Sequence, residues 1–123
     1  MPELTKNISS FTQQDIAHLL KNSHVKARVP GLRVLLAHAT FNYGRILIIT
    51  PRQSGKAVFR NKIRRRLKSL FYEQQFFIHG YDCVVIVKKE GITTSFEKLK
   101  KLLHQAFSSI HSKQDISTSI YQS

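Results

Sequence analysis

Arg60, Asn61, Lys62, Arg64, Arg65 and Lys68 crowd into nine residues, with Lys56 and Arg52 just ahead of them. Cations at this density suit the holding of a polyanion. The planar fork of arginine puts two parallel N–H donors on a phosphate, and lysine adds a compact charge. Asn61 both donates and accepts, so it can bond a ribose hydroxyl or a base edge, or brace a neighbouring arginine. The residues for bond breaking are sparse. The seven carboxylates are Glu3, Asp15, Glu73, Asp82, Glu90, Glu97 and Asp115, and none is paired in sequence for acid–base or two-metal hydrolysis. Histidines 18, 24, 38, 79, 104 and 111 show no metal-ligand spacing. Cys83, the single cysteine, allows no intrachain disulfide and no cysteine-rich zinc site, and its apolar neighbours mark it as packing. Gly55-Lys56 lacks the Gly-x-x-x-x-Gly-Lys-[Ser/Thr] frame of a phosphate loop.

Charge is uneven along the chain. Lys and Arg number 20 against 7 Asp and Glu, a formal net charge of +13. The 57 residues from Ile16 to Tyr72 hold 13 of those cations and no carboxylate. An exposed helix ordinarily mixes signs to gain weak i,i+4 pairs, and a surface without counter-charges repels itself until a polyanion binds. Nucleic acid is the leading partner and an anionic membrane surface the second. No apolar run approaches the ~20 residues of a membrane span, and the first residues lack the apolar stretch of a secretory signal, so a cytoplasmic protein is expected.

These cations need a scaffold. The 123 residues, 41% of them hydrophobic, suit one domain over residues 1–111, followed by a polar flexible tail over 112–123. A first helix is predicted from Thr12, its N-cap, with Asp15 completing a capping box and Phe11 set to staple onto Ile16. Ile16, Leu19 and Leu20 share a face, and Asn22-Ser23 end the run. A basic connection with a Pro30-Gly31 turn leads to two strand candidates, Leu32–Ala37 and Arg45–Thr50, which could pair as an antiparallel hairpin. Residues 57–75 form a helix with Phe59, Ile63, Leu67, Leu70 and Phe71 on its apolar stripe, and His79-Gly80 stops it. Arg60, Asn61, Arg64, Arg65 and Lys68 fall on an adjoining arc, while Lys62 and Arg66 flank the other edge. Tyr81–Val87 is a continuous apolar strand, expected at the centre of the sheet. Thr94 and Glu97 have capping-box spacing for a last helix to about His111, with Phe96, Leu99, Leu102, Leu103, Phe107 and Ile110 inward. The order gives an α+β fold, a small two-layer sandwich with helices packed on one mixed sheet.

Arg60-Asn61-Lys62-Ile63-Arg64-Arg65, after Gly55-Lys56-Ala57-Val58, resembles the signature of the bacterial ribonuclease P protein subunit. In that family an Arg-Asn-Arg helix follows a strand ending in Ser-Lys-Lys and a Gly-x-Ala-Val turn. The resemblance runs from the first helix to about Phe107. It implies a sandwich of order α-β-β(-β)-α-β-α with a left-handed crossover. It also implies a protein without a nuclease centre, the accessory component of an endoribonuclease whose catalytic centre and magnesium ions belong to a large RNA. No cofactor is then held stably by the protein alone. The partners are that RNA subunit and precursor tRNA, with no membrane and no obligate protein partner. The product is tRNA freed of its 5′ leader.

Carried over by position, Arg60, Asn61, Lys62, Arg64, Arg65, Lys68, Lys56 and Arg52 are expected on the RNA subunit. Lys62 stands where the family often has arginine and loses the bidentate fork. Arg52 matches a lysine of the strand-end triplet, while Pro51 and Gln53 replace its serine and second lysine. The leader contact falls to Ile16, Leu20, Lys21 and Arg28. The family's first helix has two aromatics where this chain has Ile16 and Leu20, which removes ring stacking on a single strand. The alternative class is a non-catalytic ribosomal or rRNA-binding protein.

Overall fold

The computed structural model describes residues 9–122, with side chains described through 110. In chain order the elements are α1 (Gln13–Asn22), β1 (His24–Val29), β2 (Leu32–His38), β3 (Ile46–Ile49), α2 (Ala57–Glu73), β4 (Tyr81–Val87) and α3 (Phe96–Gln122). The expected sandwich of helices on one mixed sheet is present.

The sheet order is β1-β2-β4-β3. β4 is apolar apart from Asp82 and buried on both faces, which places it inside the sheet, as its sequence predicts. It pairs antiparallel with β2 and parallel with β3. The antiparallel hairpin expected between β2 and β3 therefore does not form. β4 inserts between them, and α2 carries the chain from β3 across to its parallel partner. The hairpin lies earlier, in the segment expected to be a basic connection: β1 pairs antiparallel with β2 through the Pro30-Gly31 turn. β1 hides well in the sequence because it is an edge strand. Ala27 is its one buried residue, the others are charged or exposed, and its register shifts at Lys26. Gly31 has φ +82 and abuts the backbone of Gly91, where no side chain fits.

Two apolar layers flank the sheet. On one side, Val34, Leu36, Ile46, Cys83, Val85 and Val87 meet Ile63, Leu67, Leu70 and Phe71 of α2 and Leu99, Leu103, Ala106 and Phe107 of α3. On the other side, Leu19 of α1 packs on Ala37 and Val84. α1 has the predicted capping box, with the Thr12 N–H donating to Asp15 Oδ2 (3.0 Å) and the Asp15 N–H to Thr12 Oγ1 (3.1 Å). α2 stops earlier than His79-Gly80. Gln75 takes a left-handed conformation (φ 56), and a short 3₁₀ turn over Phe76–His79 buries Phe76 against Phe107, with ring centroids 4.6 Å apart. At α3 the cap is Ser95 rather than Thr94. Ser95 Oγ accepts from the Lys98 N–H, while the Thr94 hydroxyl donates back to the Gly91 carbonyl. The backbone of α3 continues past His111 to Gln122, and the side chains of the expected tail lie outside the described residues.

Candidate nucleic-acid interface

α2 sets the cationic surface. Burying Ile63, Leu67, Leu70 and Phe71 fixes its roll about its own axis. Asn61, Lys62, Arg65 and Lys68 are then exposed, and Arg60 and Arg64 are half-buried. Lys56 and Arg52, ahead of the helix, are exposed as well. All eight expected residues therefore gather on or beside α2. Asn61 braces its neighbour: Arg64 Nη1 donates to Asn61 Oδ1 at 3.3 Å. Arg60 folds back along the first turn, its Nε donating to the Gly55 carbonyl at 3.0 Å, which spends one of five donors. Arg66 turns the other way and donates to the Thr94 carbonyl, holding α2 to the approach of α3.

Among the described residues, no carboxylate pairs with a cation of α2; the ion pairs are those of Arg45 with Asp15 and Asp82. The first turn of α2 contains no acidic residue, and Lys56 at its N-cap makes no side-chain cap. The positive end of the helix dipole thus adds to the cations instead of being offset, a field that suits phosphate. Phe59 departs from its expected place on the stripe. It is 41% exposed, because the first turn runs beyond the apolar layer and Ile63 is the first residue to enter it.

The sheet face toward α1 is the second surface. α1 covers only the end near Ala37 and Val84. Strand register places Arg28, Arg33, Ile86 and Ile49 in one row past that end, the two arginines exposed and the two isoleucines half-buried against the cluster beneath α1. Arg28, Arg33, Ile86 and Lys88 line an open cleft of about 380 Å³ there. Of the four residues expected on the leader, Ile16 is half-buried, and Leu20 and Lys21 are exposed on α1. Arg28 shares their side of the sheet but stands in a row beyond those on which α1 packs, so the four do not form one cluster. Arg33, Ile86 and Lys88 are additions to the expected set. Arg33 carries a readable signal, a cation alternating with Leu32 and Val34 on a strand, which must face the opposite side from them.

Arg45, one of the 13 cations of the basic stretch, is not available to a partner. It is 2% exposed. Its guanidinium lies between the rings of Phe11 (4.3 Å) and Phe41 (4.4 Å), donates to the Ser10 carbonyl and Thr40 Oγ1, and pairs with Asp15 at 3.3 Å. Phe11 therefore serves the arginine as well as the apolar layer beneath α1. The Thr12 N–H holds the Asp15 carboxyl below the usual aspartate range and Arg45 lowers it further, against some desolvation. Burial dominates at Asp82 and raises its carboxyl, although Arg45 opposes this. Burial also pushes the Cys83 thiol far up. Among the described residues, no three of His, Cys, Asp and Glu come together to hold a metal ion, and no helix is long and apolar enough to cross a membrane.

Comparisons with known proteins match both the sequence and the fold. The family model for Ribonuclease P matches residues 7–111. A ribonuclease P protein component from Erythrobacter litoralis is 34% identical over 88 residues, covering 69% of this chain and 72% of that protein. Another, from Aliivibrio fischeri, is 28% identical over 102 residues, covering 82% and 86%. The solved RNase P protein of Thermotoga maritima superposes with a TM-score of 0.64 at 25% identity, covering 77% of this chain and 90% of that one. That of Staphylococcus aureus, at 19% identity, shares the fold with a TM-score of 0.70 over 84% and 94%.

Proposed function

Because the chain belongs to the ribonuclease P protein family, we propose that it is the accessory subunit of an RNA-based endoribonuclease, gripping the catalytic RNA with α2 and helping to hold the 5′ leader of precursor tRNA. One observation carries the reading. Arg60, Asn61, Arg64, Arg65 and Lys68 form an outward cationic face with no acidic partner among the described residues. Such a face screens the repulsion between two RNAs at the point where they must approach.

Bond breaking is assigned to the RNA and its magnesium ions. The donor set here does not fit a protein-held ion, since the two carboxylates that approach each other, Asp15 and Asp82, are both engaged by Arg45. The leader is assigned to the uncovered sheet face. There Arg28, Arg33 and Lys88 supply charge and Ile86 an apolar floor, while Ile16, Leu20 and Lys21 stand apart from this cleft on α1 and offer a separate contact further along the leader. With no ring at 16 or 20, contact with the leader rests on phosphate neutralisation and aliphatic packing. That predicts weak preference for base sequence.

The test is reconstitution with a bacterial ribonuclease P RNA at limiting magnesium. The protein is expected to raise cleavage of leader-bearing precursor tRNA, and Arg64→Ala to require more protein for the same rate. Equal cleavage with and without the protein overturns the reading. Co-sedimentation with ribosomal subunits, without preference for precursor over mature tRNA, would support an rRNA-binding role instead.

A further inference from the structure

Phe59 sits four residues before Ile63, so helical spacing puts both on one side of α2. Yet Phe59 is 41% exposed and Ile63 only 2%. Val58 beside it is 65% exposed, and nothing in the first turn of α2 is buried. Phe59 belongs to neither apolar layer, and among the described residues its ring stacks on no other. Its surroundings are cationic. Lys56 precedes the turn, Arg60 folds back over it to Gly55, and Lys62 follows at i+3.

A lone exposed apolar side chain needs no explanation. A ring set among cations that have no acidic partner among the described residues, on an RNA-gripping helix, is a different case. Cations take phosphates, while a ring takes the π-face of a base without regard to its identity. A membrane surface would need several apolar anchors, and the remaining apolar residues of this stripe, Ile63, Leu67, Leu70 and Phe71, are committed to the core. We propose that Phe59 stacks on an unpaired base of the RNA that α2 grips. A paired base cannot offer its face, so the contact falls at a bulge, junction or loop of that RNA. The inference rests on the RNA-gripping reading above and adds to it a base contact.

The chain has no tryptophan, so Phe59→Trp places a single indole fluorophore at the site. In the full chain, ribonuclease P RNA is expected to quench its emission and shield it from acrylamide. Phe59→Ala is expected to weaken binding of that RNA by about 5- to 150-fold, the range of losing one stacked base. Phe59→Leu, which keeps apolar bulk without a ring, stays weakened, and Phe59→Tyr binds as the wild type does. Urea melts of each variant check that folding is unchanged, as an exposed position requires. If Arg64→Ala loses affinity while Phe59→Ala and Phe59→Leu bind within twofold of wild type, or if the indole emission of Phe59→Trp does not respond to RNA, stacking is overturned and the cationic grip stands. If the wild type does not bind the RNA, both fall together.

Discussion

Arg45 and Asp82 meet twice, through main chain and side chain. The Arg45 N–H donates to Asp82 Oδ1 at 2.8 Å, and the Arg45 guanidinium lies 3.7 Å from Asp82 Oδ2. The Arg45 carbonyl in turn accepts from the Cys83 N–H at 2.7 Å. These contacts stand immediately ahead of the Ile46–Cys83 pair that begins the parallel ladder of β3 and β4. With Asp15 on its other side, the same guanidinium ties α1 to that junction. One buried cation thus fixes both a strand register and the seat of α1 on the sheet.

Removing Arg45 is therefore expected to be costly. Arg45→Ala leaves Asp82 buried without its counter-charge, which in comparable sites costs about 3–5 kcal/mol. Arg45→Lys recovers only part of this, because an ammonium cannot lie flat between Phe11 and Phe41 while reaching both carboxylates. Asp82→Asn combined with Arg45→Met should cost less than the two single changes added together, since no lone charge remains. Urea unfolding of these variants, single and combined, measures each contribution.

Acid should act on α1 through Asp15. Its carboxyl is held below the ordinary value of 3.8 by the Thr12 N–H and then by Arg45. A depressed folded pKa contributes stability that is present above the unfolded value and is lost as pH falls through the folded one. The stability difference between wild type and Asp15→Asn is thus expected to be constant near neutrality and to shrink only below about pH 3.8. Asp82 works in the opposite sense. Burial raises its carboxyl, so its ionisation costs stability as pH rises above the ordinary aspartate range, and Asp82→Asn removes that slope. Urea melts across a pH series separate the two signs.

Much of this can be read from residue patterns, and the failures share a cause. α1 with its cap, the core stripe of α2, the central place of β4 and the inward face of α3 each follow from local spacing. Sheet pairing does not. Chain neighbours β2 and β3 resemble a hairpin because consecutive strands usually pair, and only β4, apolar but for Asp82, entering between them excludes it. β1 is masked by its exposed charges. Phe59 has the spacing of a core residue, and its exposure depends on where the helix starts relative to the sheet. Arg45 is indistinguishable in sequence from its twelve cationic neighbours, because burial against Asp15 and Asp82, distant along the chain, leaves no local mark.

Cys83 offers a probe of opening at the sheet centre. It is fully buried, and burial holds its thiol in the protonated, unreactive form. Native protein is expected to resist a thiol reagent such as DTNB, and urea-unfolded protein to react at once. Prompt labelling of native protein would mean that β4 separates from its neighbours under native conditions. Cys83→Ser, which puts a hydroxyl where no partner is placed, should destabilise by roughly 1–3 kcal/mol without altering RNA binding.

Salt dependence measures the grip of α2 directly. If about five cationic groups of this surface engage phosphates, log K for the RNA subunit falls with log salt at a slope of roughly −3.5 to −4.5. Arg65→Ala and Lys68→Ala remove exposed charges that pair with no carboxylate among the described residues. Each should flatten the slope by roughly 0.7 to 0.9 and leave urea stability within about 0.5 kcal/mol of wild type. Asn61→Ala differs in kind. It removes no charge, so the slope stays, but Arg64 loses the oxygen that orients it and affinity falls at every salt concentration. A flatter slope for Asn61→Ala would instead mean that Arg64 leaves the phosphate altogether once its brace is gone. Titrations of all three variants against one RNA over a range of salt distinguish lost charge from lost orientation.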